Sequence, residues 1–126
     1  MNPLTLKITL FSALLLLVIL TGIWLTMSGI PYHSGISAVH KILSLLAGVA
    51  LVITVLHMQK IVPFRVMDIA ILVSVAVLFL GAFASGAARV ALKSTPFALI
   101  LAHRVSSFAS VLGVIVAFFM AYAGKK

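Results

Sequence analysis

Two of the four histidines stand in matching surroundings. His40 is followed by Lys41 and His103 by Arg104, and each pair lies just inside a long apolar run. Imidazole is the commonest side-chain metal ligand, and a neighbouring cation suits a ligand that carries negative charge. Two imidazoles on two helices can hold a metal centre between them. The plainer reading is a pair of interfacial histidines hydrogen-bonded to backbone or water. An ionisable residue within an apolar span is expected to serve function, which favours the first.

The identity of such a centre is narrowed by what the chain lacks. It has no cysteine, which removes thiolate iron–sulfur clusters, covalent CxxCH haem attachment and disulfides. Tetrahedral zinc wants four protein ligands, and neither a cysteine nor a carboxylate lies near the histidines. Haem needs only two axial ligands, because the porphyrin supplies the other four, and it is mostly apolar with two propionates. The residues therefore read as one bis-histidine haem, with His40 and His103 on the iron and Lys41 and Arg104 on the propionates. Arg89 and Lys93 are further candidates for the propionates. Ser44, Ala47, Gly48, Gly22, Gly81, Ala82 and Gly113 are small enough for a flat macrocycle to approach the backbone, although small residues are also routine where helices pack in lipid.

The other histidines carry weaker claims. His57 lies seventeen residues after His40, about 25 Å further along a helix. Met120 holds the same place relative to His103, so a second, His/Met haem enters as a reading. Against it, His57 points about 100° away from His40 at the helical period, and methionine is a common core filler. An interfacial histidine near Lys60 and Arg65, or a quinone or proton-transfer role, are the alternatives for His57. His33 sits in a loop and is expected to take no ligand role.

These residues need elements to position them, and composition names the class. The chain has 126 residues, 64% of them hydrophobic and 8% charged, against roughly 45–50% and about 25% in soluble domains. That is the composition of an integral membrane protein. Nine basic residues face a single acid, Asp68, for a net charge of +8. The cations are scattered singly at helix ends, which argues against nucleic acid and leaves anionic lipid, topology and an anionic cofactor as reasons for them.

Four segments are long enough to cross a bilayer, for which about 20 apolar residues suffice: roughly 5–27, 36–58, 66–88 and 96–122. Lipid leaves unpaired backbone no partner, so these must be helices. The first is read as retained, since its apolar run is longer than a signal-peptide core and no A-x-A signal follows. Thr95 is expected to cap the fourth helix, with Pro96 at its first position, and Gly124, Lys125 and Lys126 to close it. Short connections predict an antiparallel up-down bundle in one domain over 1–126. The chain also reads as a duplicated hairpin: TGIWLTMSG (21–29) matches LGAFASG (80–86), with Gly22 opposite Gly81 and Trp24 opposite Phe83, and HKILS (40–44) matches HRVSS (103–107). Five cations (Lys7, Lys60, Arg65, Lys125, Lys126) against four (Lys41, Arg89, Lys93, Arg104) narrowly place both termini in the cytoplasm.

TGIW near the end of the first helix, HK at the start of the second and HMQK closing it resemble the small membrane-bound cytochrome b proteins. These are related to the haem-carrying subunits of formate dehydrogenase and nickel–iron hydrogenase. The resemblance implies haem b held by histidines on different helices, electron transfer between quinone and a partner protein, and a bacterial or archaeal inner membrane. It also implies association with a redox partner, in a homo- or hetero-oligomer. Two-haem members need four ligands, and this chain has Met120 where the last histidine belongs. A haem-free scaffold or assembly subunit is the first alternative. A small transporter is the second, weakened because Asp68 at a helix start is the only carboxylate.

Overall fold

The computed structural model describes residues 2–123. It is all-helical, with four long apolar helices: α1 (Pro3–Ser28), α2 (Ser34–Ile61), α3 (Val66–Ala91) and α4 (Phe97–Ala123). All four are long and apolar enough to span a membrane. They begin and end within three residues of the spans expected from sequence. Gly124, Lys125 and Lys126, expected to close the last helix and to count among the inner cations, lie outside the described residues.

The helix ends follow from local chemistry. At the start of α1 the Asn2 side chain accepts the Leu4 N–H at 3.0 Å, and Pro3 occupies the first turn, where its missing N–H costs nothing. Gly29 ends α1 at φ 76°, a left-handed backbone that favours glycine. His33 starts α2: its carbonyl accepts the Ser37 N–H at 3.0 Å, and its ring Nδ1 faces the Ile36 N–H at 3.4 Å. His33 thus serves as a cap. Asp68 reaches back to accept the Arg65 N–H at 2.8 Å, the reciprocal half of a capping box. The single acid of the chain is therefore committed to starting α3.

Thr95 differs from its expected role. The Pro96 carbonyl accepts the N–H groups of Leu99 and Ile100 at 3.0 and 3.3 Å, so α4 opens from Pro96. The Thr95 hydroxyl instead donates to the Arg89 carbonyl at 3.3 Å. It helps close α3, because the last carbonyls of a helix also lack partners.

The chain divides into two compact units, with the boundary between Ile61 and Val62. Each unit is one helical hairpin with a five-residue connection, 29–33 in the first and 92–96 in the second. In the first, Thr21 meets His40 and Lys7 meets His57. In the second, Ala82 meets His103 and Val75 meets the backbone at Gly113.

A heptad of small and polar residues marks each seam. In α2 the buried or half-buried positions run Ser37, His40, Ser44, Ala47, Leu51, Thr54 and Met58. In α4 they run His103, Ser107, Ser110, Val114, Ala117 and Ala121. Alternating steps of three and four residues keep one stripe on the partner helix, and small side chains let the two backbones approach closely. At Gly113 an added Cβ would lie 2.5 Å from Val75 Cγ2. Phe11 and Met58 are buried, but many large apolar side chains point away from the seams; Trp24, Phe108 and Phe119 are 61%, 77% and 72% exposed.

Candidate functional site

His40 and His103 each stand six residues inside their helices, α2 and α4 respectively. That puts both about 9 Å past the helix start. Each ring turns onto the preceding helix of its own hairpin and rests on a glycine. A Cβ at Gly22 would come 3.2 Å from His40 Cε1, and one at Gly86 would come 2.9 Å from His103 Cε1.

Hydrogen bonds fix the orientation of both rings. His103 Nδ1 lies 2.7 Å from the Ala82 carbonyl oxygen. A carbonyl can only accept, so Nδ1 carries the proton and donates. The neutral ring then holds its lone pair on Nε2. His40 Nδ1 lies 2.9 Å from Thr21 Oγ1, and that hydroxyl lies 2.8 Å from the Leu17 carbonyl. The one hydroxyl proton goes to the carbonyl, and the oxygen accepts from Nδ1–H. His40 reaches the same tautomer by a different route.

The surroundings repeat as well. Ser44 and Ser107, each four residues after the histidine, donate to its carbonyl at 2.7 and 2.6 Å. Ser85 occupies the place of Thr21: its hydroxyl donates to the Gly81 carbonyl at 2.7 Å and lies 3.4 Å from His103 Nδ1. The structural correspondence is therefore Thr21-Gly22 with Ser85-Gly86. This replaces the sequence match of Gly22 with Gly81, since a Cβ at Gly81 would meet nothing within 4 Å. The signal in the sequence was a hydroxyl residue before a glycine that stands eighteen or seventeen positions ahead of the histidine. The Trp24–Phe83 pairing, drawn from resemblance of residue type, shifts with it.

His57 has the opposite tautomer. Its Nδ1 lies 3.2 Å from Lys7 Nζ. An ammonium group has donors and no acceptor, so Nδ1 receives and the neutral ring's proton sits on Nε2. Spacing along the chain offered His57 the neighbours Lys60 and Arg65; Lys7, fifty residues earlier, is its hydrogen-bond partner. Met120 is half-buried on α4. Of the proposed propionate partners, Lys41 is half-buried and Arg104 exposed.

Two imidazoles are the number of protein ligands that a haem would ask for. In both rings Nδ1 is tied to an acceptor on the neighbouring helix, the kind of outer hydrogen bond that metal-ligating histidines carry. Among the described residues no cluster of three or more His, Cys, Asp or Glu could hold a metal ion, so a zinc site made of protein ligands alone has no ligand set. No protein-family model matches the chain, and neither a curated protein nor a solved structure matches it.

Proposed function

We propose that this is an integral membrane b-type cytochrome, an antiparallel four-helix bundle with His40 and His103 as the axial ligands of one haem b. The observation that carries the reading is the shared seating. Both rings rest on a glycine with Nδ1 within hydrogen-bond distance of an acceptor on the neighbouring helix, which favours Nε2 as the nitrogen that would ligate. When bound, the haem supplies a reversible one-electron couple. The chain's part is to hold two imidazoles in fixed orientation, to surround them with apolar side chains and to place Lys41 and Arg104 one residue on from the ligands for the propionates. Electrons would pass between quinone and a partner protein, and both termini would face the cytoplasm. His57, with its proton on Nε2, is poorly prepared to bind iron, so the count is one haem rather than two.

A second reading rests on the same contacts. Each imidazole bridges the two helices of its own hairpin, which is what a haem-free scaffold would use it for. The visible spectrum separates the two. Protein purified from haem-replete cells should give a Soret band and, on adding dithionite, a sharpened alpha band. It should bind about one haem per chain, as one bis-histidine site requires. Absence of a Soret band rejects the cytochrome reading; a ratio near two rejects the single site.

A further inference from the structure

The two histidines reach one tautomer through partners of different kinds, and the difference makes one of them adjustable. His103 donates to a backbone carbonyl at 2.7 Å, an acceptor that does not depend on the side chain of the residue carrying it. His40 donates to a hydroxyl at 2.9 Å. That hydroxyl is itself held by the Leu17 carbonyl at 2.8 Å and the Val18 carbonyl at 3.1 Å. Val18 stands to Thr21 as Ala82 stands to Ser85. In the first hairpin the hydroxyl is thus interposed between ring and carbonyl, whereas in the second the ring reaches the carbonyl and the hydroxyl stands aside.

We infer that Thr21 is a positioning residue that sets His40 as an iron ligand and makes it the weaker electron donor of the pair; the part concerning iron rests on the cytochrome reading. Donation from Nδ1–H to an acceptor raises the basicity of the ring at Nε2. A carbonyl that receives a short hydrogen bond from His103 draws more on its ring than a hydroxyl does on His40. Loss of the acceptor at Thr21 lets the His40 proton move to Nε2, the atom that must be bare to ligate. In the haem-bound protein, where Nε2 is committed, the same loss leaves His40 less basic. The ferric state is then less well stabilised and the reduction potential rises.

The geometry at Gly22 supports a tight setting. A Cβ there would meet His40 Cε1 at 3.2 Å and Nδ1 at 3.7 Å. The ring lies against the helix that carries Thr21, one residue away.

The test compares Thr21→Val, which keeps the shape and removes the hydroxyl, with Thr21→Ser, which keeps the hydroxyl. Nitrogen-15 NMR of histidine-labelled protein without haem reads the tautomer directly. The His40 signals are assigned by their loss in His40→Gln. The expected result is Nδ1–H in wild type and Thr21→Ser, and a mixture or Nε2–H in Thr21→Val. Haem titration should then show affinity lower by about ten- to a hundredfold in Thr21→Val, the usual cost of losing an outer hydrogen-bond partner, with recovery in Thr21→Ser. The potential of haem-loaded Thr21→Val should lie above wild type. If Thr21→Val does not accumulate, Thr21→Ala makes the same comparison. An unchanged His40 tautomer in the valine variant overturns the inference, whatever the haem content. A changed tautomer in protein that never binds haem upholds the role of Thr21 over the ring and overturns only the cytochrome reading.

Discussion

The two hairpins agree at one end and part company at the other. Near their connections, each has a hydroxyl residue before a glycine, a histidine lying on that glycine and a serine one turn later. Towards the opposite end of the first hairpin, Lys7 meets His57. The same offsets in the second hairpin lead to Ile71 and Met120, which have no charge to exchange. Packing in lipid favours small residues and side chains that hydrogen-bond across helices, but it does not by itself ask for hydroxyl, glycine, imidazole and serine in the same order twice. Where the halves diverge, no shared chemistry constrains them. The histidine seat, and not the hairpin as a whole, is what repeats within this chain.

The largest effect should come from removing each ring in turn. His40→Ala and His103→Ala should each abolish haem retention, read from the Soret band of purified protein. His57→Ala and His33→Ala should retain it. Equal haem in all four would remove His40 and His103 as the ligands.

The glycines test the seats by crowding. At Gly86 a methyl would stand 2.9 Å from His103 Cε1 and 3.1 Å from Nδ1, closer than real contacts allow, so the ring must shift. Overpacking of this kind costs about 1–3 kcal/mol. At Gly22 the closest approach is 3.2 Å, with Nδ1 at 3.7 Å, and a small shift of the ring suffices. The gain in helix propensity from alanine, about 1 kcal/mol, should then roughly cancel the cost. Unfolding in SDS followed by circular dichroism should find Gly86→Ala destabilised and Gly22→Ala close to wild type. The reverse order would mean that the rings are not seated as described.

A smaller contrast separates the hydroxyls. Ser85→Ala should alter haem affinity less than Thr21→Val, because His103 keeps its bond to the Ala82 carbonyl. Matching losses at the two sites would remove the distinction between them. The smallest effect belongs to the far end. Lys7→Met removes one interhelical hydrogen bond, worth about 0.6 kcal/mol on average between membrane helices. It should leave haem content unchanged, and a loss of haem would reinstate His57 in the site.

Much of this was readable from residue types. Runs of apolar residues about as long as a bilayer is thick left helix as the only solution, and the equal depth of His40 and His103 followed from Ser34 and Pro96 as turn residues. What could not be read was which way each ring turns. Spacing places a histidine along a helix, but its hydrogen-bond partner comes from another helix, and the partner decides the tautomer. Lys7 and His57 are fifty residues apart, so no local pattern joins them. Gly81 was a better match than Gly86 by sequence, because similarity of neighbours is not proximity to a ring. Thr95 looked like a cap because threonine before proline so often is one; the Arg89 carbonyl competed for its hydroxyl and won.

The hydroxyls along the helices bear on how such a chain is made. Thr54 donates to the Ala50 carbonyl, Ser110 to Ser106, Ser106 to Ala102 and Ser74 to Ala70, all between 2.6 and 2.9 Å. Each bond is completed within a single helix, one turn back. A helix leaving the translocation machinery alone would therefore carry these hydroxyl protons into lipid already satisfied, without waiting for a neighbour. The histidines differ, because the acceptors for Nδ1–H of His40 and His103 arrive on the helix synthesised before them. Biogenesis would proceed one hairpin at a time, with these two imidazoles meeting their acceptors only as each hairpin closes.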